Sequence, residues 1–139
     1  MAERSDLELL EDLLALEHRL LSVYEAALRR AVIEPELGGA LRDQEREHVR
    51  ALEQALAGSG RRNPRASVPP SELGAVLRDR DAFASFALDL EDEAVAAYAQ
   101  TAATIRNPRL RQPLGSIMAC EAAHGVALRD MLGERSLID

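Results

Sequence analysis

Apolar residues along this chain return every three or four positions in four separate stretches, and each stretch is broken by strong stop signals. In the first, Leu10, Leu13, Leu14, Leu20, Leu21, Tyr24 and Leu28 lie on one helical face. Ser5 followed by Glu8 reads as a capping box in front of them. Pro35 cannot continue the helix, so a first helix is expected over about residues 6–33. Leu41, Val49, Leu52 and Leu56 mark a second, over about 36–57, closing at Gly58. Phe83, Phe86, Ala87, Leu88, Leu90, Ala94, Val95, Tyr98, Ala102 and Ile105 mark a third, over about 81–106, ended by Asn107-Pro108. Leu114, Ile117, Met118, Leu128, Met131 and Leu132 mark a fourth, over about 112–132. Pro113 suits its first position, where a missing N–H costs nothing, and Gly133 closes it.

Residues 58–71 contain Gly58, Gly60, Pro64, Pro69 and Pro70 and read as a linker, with a short helical turn after it at 71–77. The predicted fold is therefore all-α, a four-helix bundle in one domain. Short joints make each helix pair an antiparallel hairpin. The connection between the second and third helices, about residues 58–80, is different. Some fourteen extended residues reach roughly 45 Å, while a helix of about 24 residues is roughly 36 Å long. The linker can span the bundle, so the third helix can lie parallel to the second.

Polar residues interrupt each apolar face near its middle. Positions 10, 13, 17, 20, 24 and 28 read Leu, Leu, Glu, Leu, Tyr, Leu, and positions 41, 45, 48, 52 and 56 read Leu, Glu, His, Leu, Leu. Positions 84, 87, 91, 94 and 98 read Ala, Ala, Glu, Ala, Tyr, and positions 114, 117, 121, 124 and 128 read Leu, Ile, Glu, His, Leu. Two motifs stand out: Glu45-Arg46-Glu47-His48 and Glu121-Ala122-Ala123-His124. Each follows a helix with a lone glutamate, Glu17 or Glu91, placed seven residues before a tyrosine, Tyr24 or Tyr98. The Glu17-to-Glu91 offset is 91 − 17 = 74 and the Glu45-to-Glu121 offset is 121 − 45 = 76. A duplicated hairpin related by a pseudo-two-fold axis explains both.

Glu17, Glu45, Glu91 and Glu121 with His48 and His124 form the donor set of a two-metal site. Four carboxylates neutralise two divalent cations, and carboxylate oxygens with one imidazole per metal suit iron or manganese better than a thiolate-seeking ion. Buried without metal, the unpaired charges would cost several kcal/mol each. The alternative is a satisfied polar core or a decayed site. Tyr24 and Tyr98 read either as hydrogen-bond partners of the carboxylates or as core residues bonded to backbone. His18 points about 100° from Glu17 and reads as an ordinary, partly buried histidine. Glu47 and Glu93 read as solvent-facing, Met118 and Met131 as core filler, and nothing marks Cys120 as an acidic thiol.

Composition narrows the remaining classes. All 17 basic residues are Arg, which excludes lysine Schiff-base chemistry. The formal net charge is −7 without a basic cluster, so nucleic acid is not an expected partner. Arg61-Arg62-Asn63-Pro64-Arg65 reads as a solvated loop. One cysteine allows no internal disulfide and fits a reducing compartment. No apolar run is long enough to cross a membrane, and the polar N-terminus is unlike a secretion signal; a cytoplasmic location is expected.

Glu17…Tyr24, Glu45-x-x-His48, Glu91…Tyr98 and Glu121-x-x-His124 resemble the di-iron carboxylate pattern of the ferritin-like superfamily, over about residues 7–133. The stretches around 43–52 and 90–98 look most like the bacterial ferritin-like group that includes desiccation-related proteins. The resemblance implies a ferritin-like bundle with one long crossover. It implies that Glu45 and Glu121 bridge two iron ions, with manganese or zinc as alternatives. Glu17 and Glu91 would be terminal ligands, and His48 and His124 would give one nitrogen each. Such sites react iron(II) with oxygen or peroxide, a ferroxidase or peroxide-consuming chemistry in metal or oxidative-stress handling. A fifth helix like that of storage cages is not expected, and the one cysteine cannot form a rubredoxin-type cluster. A homodimer is expected by analogy. The competing expectation is a non-catalytic helical stress or interaction module with a structural ion.

Overall fold

The computed structural model describes residues 3–60 and 68–133. Five α-helices, α1 (Asp6–Arg29), α2 (Pro35–Leu56), α3 (Pro70–Val76), α4 (Arg80–Thr104) and α5 (Arg111–Met131), build the fold, and no strand occurs among the described residues. α1, α2, α4 and α5 correspond to the four expected helices. The expected basic loop, Arg61 to Arg65, lies outside the described residues.

Local chemistry sets the helix ends. Ser5 caps α1 with a full capping box: its hydroxyl accepts from the Glu8 amide at 3.2 Å, and Glu8 accepts from the Ser5 amide at 2.9 Å. α1 ends at Arg29, four residues earlier than the expected 33. Ala31 takes φ 55°, the Val32 amide bonds to the Ala27 carbonyl, and the Ala31 amide bonds to that of Leu28. These two bonds define a Schellman motif. Its left-handed residue is alanine where glycine is usual, so the sequence carries no visible stop there. Asp79 caps α4 by accepting from the Ala82 amide at 2.7 Å. A 3₁₀ turn at Pro108–Leu110 leads into α5, which starts at Arg111. Pro113 is therefore its third residue and not its first; its missing N–H still lies among the unpaired amides of the first turn.

The direction of each helix follows from which residues meet. Between α1 and α2, Glu17 faces His48 and Glu25 faces Arg46, so the two run antiparallel. Tyr24 meets Glu91 and Tyr98 meets Glu17, so α4 is antiparallel to α1. Glu45 meets His124 and His48 meets Glu121, so α5 is antiparallel to α2 and, since α2 and α4 both oppose α1, to α4 as well. α2 and α4 therefore run the same way, and the chain from 57 to 79 carries the crossover that this requires. The crossover is tied to the bundle: Val68 and Leu77 are buried, and the Val68 amide donates to Ser22 Oγ at 3.4 Å. Asp6 closes one end by accepting from the Arg106 and Asn107 amides, both at 2.9 Å.

The core mixes sizes across facing helices. α1 contributes Leu10, Leu13, Leu14 and Leu20, whereas α4 contributes Ala84, Ala87 and Ala94 around Phe83 and Tyr98. Large residues on one rod face small ones on its neighbour, so the two layers can interdigitate. Met118 and Met131 pack partly buried against this core.

Candidate metal centre

Each of the four long helices contributes to one polar cluster at mid-height. Glu17, Glu45, Glu91 and Glu121 are each 0% exposed, and His48 and His124 are buried with them. The 3.6-residue period places Glu and His, three apart, on one face of α2 and of α5. Glu47 and Glu93 are exposed. His18 stays apart, 3.9 Å from Glu53 on α2.

The six residues divide into two sets of four. Glu17, Glu45, His48 and Glu121 each offer a ligand atom within 4.8 Å of the others, and so do Glu45, Glu91, Glu121 and His124. Glu45 and Glu121 belong to both sets. His48 Nδ1 lies 3.6 Å from Glu17, 3.4 Å from Glu45 and 3.2 Å from Glu121. His124 Nδ1 lies 3.0 Å from Glu45, 3.1 Å from Glu91 and 3.1 Å from Glu121. The two imidazoles stack, with centroids 6.1 Å apart.

Many of these atoms are close without being hydrogen-bonded. Glu17 Oε2, Glu45 Oε2, His48 Nδ1, Glu91 Oε2 and both oxygens of Glu121 are buried with no partner in hydrogen-bond geometry. An orphaned buried polar atom costs about 1–3 kcal/mol. Short distances combined with poor alignment mean that the atoms converge on shared points instead of on one another. That is the arrangement a cation fits, and a donor set of carboxylate oxygens with imidazole nitrogens suits iron, manganese or zinc.

The tyrosines join the two hairpins crosswise. Tyr24 on α1 donates its hydroxyl to Glu91 on α4, and Tyr98 on α4 donates to Glu17 on α1. Of the two sequence readings, partnership with carboxylates is the one this geometry satisfies. Burial, with Glu91 beside Tyr24 and Glu17 beside Tyr98, holds both phenols well above their ordinary range, so both remain donors.

Electrostatics gives the cluster a neutral, metal-free form. Burial raises Glu17, and it raises Glu91 to about 9, so both hold protons at neutral pH. Burial alone would also raise Glu45 and Glu121, but contacts with His124, His48 and Glu17 outweigh it and hold both low. Burial alone would lower the histidines. Facing carboxylates outweigh it, raising His48 strongly and His124 to about 12. Two imidazolium ions then balance two carboxylates, and two carboxylic acids complete the set.

A family model described as ferritin-like domain matches residues 5–134. The chain belongs to the ferritin-like domain family. Neither the curated proteins nor the solved structures yield a match to it. Within this ferritin-like domain the buried carboxylate and histidine groups can take a metal ion. No described helix is long and apolar enough to cross a membrane.

Sequence reasoning missed one residue. Gln44 reaches across from α2 and places Oε1 2.5 Å from His124 Nε2, and Cys120 Sγ lies 3.5 Å from the same nitrogen. The signal was available: the offset of 76 that pairs Glu45 with Glu121 also pairs Gln44 with Cys120.

Proposed function

We propose that this chain is a di-metal carboxylate protein, with two iron ions or a manganese–iron pair, that oxidises iron(II) with oxygen or peroxide in metal or oxidative-stress handling. The observation that carries this reading is that Glu45 and Glu121 belong to both ligand sets. Two carboxylates common to two neighbouring sites are what bridging a metal pair requires. In this reading Glu17 and His48 complete one site, and Glu91 and His124 complete the other.

When bound, the metal pair supplies the one-electron redox chemistry that oxygen or peroxide reduction needs. The protein's own groups do the rest. Glu17 and Glu91 give up their protons on loading, and the imidazoles become neutral donors. Tyr24 and Tyr98 hold the terminal carboxylates in place by donating to one oxygen and leaving the other for metal. The apolar rings of Leu and Ala above and below the cluster keep bulk water out. A homodimer in the cytoplasm belongs to the same proposal, and sedimentation of the purified chain reads its subunit count.

The test is anaerobic loading with iron(II), metal analysis, and then oxygen uptake. About two metals per chain, with uptake above the protein-free rate, are expected. A second reading is a non-catalytic helical stress or interaction module with a structural ion. The self-neutralised, metal-free cluster favours it, because that network needs no redox metal to be tolerated in the core. Bound metal without oxygen uptake selects this second reading.

A further inference from the structure

The two halves of the cluster are not equivalent outside the carboxylates. His124 turns Nδ1 toward Glu45, Glu91 and Glu121, and its other nitrogen, Nε2, meets Gln44 Oε1 at 2.5 Å. The same oxygen lies 3.6 Å from Cys120 Sγ, so it accepts from both the ring N–H and the thiol. His48 turns Nδ1 toward Glu17, Glu45 and Glu121, yet among the described residues no hydrogen bond holds its Nε2. Its side chain is 9% exposed, against 3% for His124. The residue that the internal repeat would supply to it is Cys120, the counterpart of Gln44, and that thiol lies against His124 instead.

A ring nitrogen can bind a metal only through its lone pair, so the proton must sit on the other nitrogen. An acceptor at that nitrogen fixes both the tautomer and the ring plane. We propose that Gln44 is a positioning residue: by accepting from Nε2–H it fixes the His124 ring plane with Nδ1 toward the carboxylates and keeps the ring proton on Nε2 once Nδ1 turns to a metal. The subsite of Glu91 and His124 is thereby pre-organised and fills before that of Glu17 and His48. The inference rests on the two-metal reading of the cluster.

Zinc(II) titration of the full chain tests it, because zinc is diamagnetic and the two rings can be followed by nitrogen-15 NMR. In the unmodified chain the His124 ring signals are expected to shift at lower zinc than those of His48, and loaded His124 carries a slowly exchanging proton on Nε2. Gln44→Leu is expected to weaken the His124 subsite about 10–100-fold, leave His48 binding unchanged, and remove the order of filling. Gln44→Glu, which keeps an acceptor oxygen, restores the order. Melting temperature serves as the control, since a merely structural role would move it and both subsites together. Simultaneous filling in the unmodified chain, or equal weakening of both rings by Gln44→Leu, overturns the inference. Absence of any zinc binding overturns the two-metal reading itself, which separates the two failures.

Discussion

The first hairpin, α1 with α2, and the second, α4 with α5, agree where they hold polar groups and differ where they pack. Glu17 and Glu91, Tyr24 and Tyr98, Glu45 and Glu121, and His48 and His124 occupy matching places, and each tyrosine serves the glutamate of the opposite hairpin. The apolar residues around them are not matched: Leu13 and Leu20 precede and follow Glu17, whereas Ala87 and Ala94 precede and follow Glu91. The difference teaches that packing tolerates exchange of volume between neighbours. A set of converging ligand atoms tolerates none, because each atom must reach one point.

The strongest way to break this comparison is to remove a shared group. Glu45→Ala and Glu121→Ala should each abolish binding of both metals, read as metal per chain after iron loading. Glu17→Ala and Glu91→Ala should each spare the opposite site. If Glu45→Ala still holds two metals, the sharing is wrong.

The next effect is on pH. Between pH 6.5 and 9 the unfolded chain has lost the protons that the folded metal-free cluster retains on Glu91, raised to about 9, and on His124, raised to about 12. The folded state then binds more protons than the unfolded one, so stability falls as pH rises through this window. Glu45 and Glu121, held low, are ionised in both states there and add no slope. The urea midpoint of metal-free protein should drop from pH 6.5 to 9. Metal-loaded protein, its protons already displaced, should lose that slope, and a metal-free midpoint that rises contradicts the charge assignment.

Packing variants sharpen the contrast between the rods. Leu13→Ala on α1 should cost about 2–5 kcal/mol by leaving a cavity. Ala87→Leu on α4 should cost about 1–3 kcal/mol by overfilling. Both are read by urea unfolding, and a neutral Ala87→Leu would mean that α4 is loosely packed. Tyr24→Phe and Tyr98→Phe should each cost about 1–3 kcal/mol, Tyr98→Phe the more, since Glu17 Oε1 loses its hydrogen-bond donor while Glu91 Oε1 keeps His124 Nδ1 at 3.1 Å. Equal costs would mean that His124 does not hold the Glu91 carboxyl in the metal-free cluster.

The smallest effect is at Gly38 on α2. A Cβ there would lie 2.6 Å from Leu28 Cδ2 and 2.7 Å from Ile33 Cγ2. Gly38→Ala should therefore lose about 1 kcal/mol or more, despite alanine's better helix propensity. A stabilised Gly38→Ala variant would show that the α1–α2 joint yields easily.

The helical periodicity, the Ser5–Glu8 cap and the proline and glycine stops are written in neighbouring residues, and they sufficed to predict four long helices and the short one after the linker. The two Glu-x-x-His motifs and their offsets were legible for the same reason: residues three or four apart on a helix share a face whatever surrounds it. The early end of α1 was not legible, because Ala31 adopts a left-handed conformation that its own side chain disfavours and that no glycine announces. Other features depend on which helices become neighbours: that Tyr24 serves Glu91 and Tyr98 serves Glu17, that Glu45 and Glu121 are shared, and that Gln44 reaches His124 across two helices. Spacing along the chain sets which face a side chain occupies. Only the packing of four rods sets which face it meets, and with it the charge that each buried group retains.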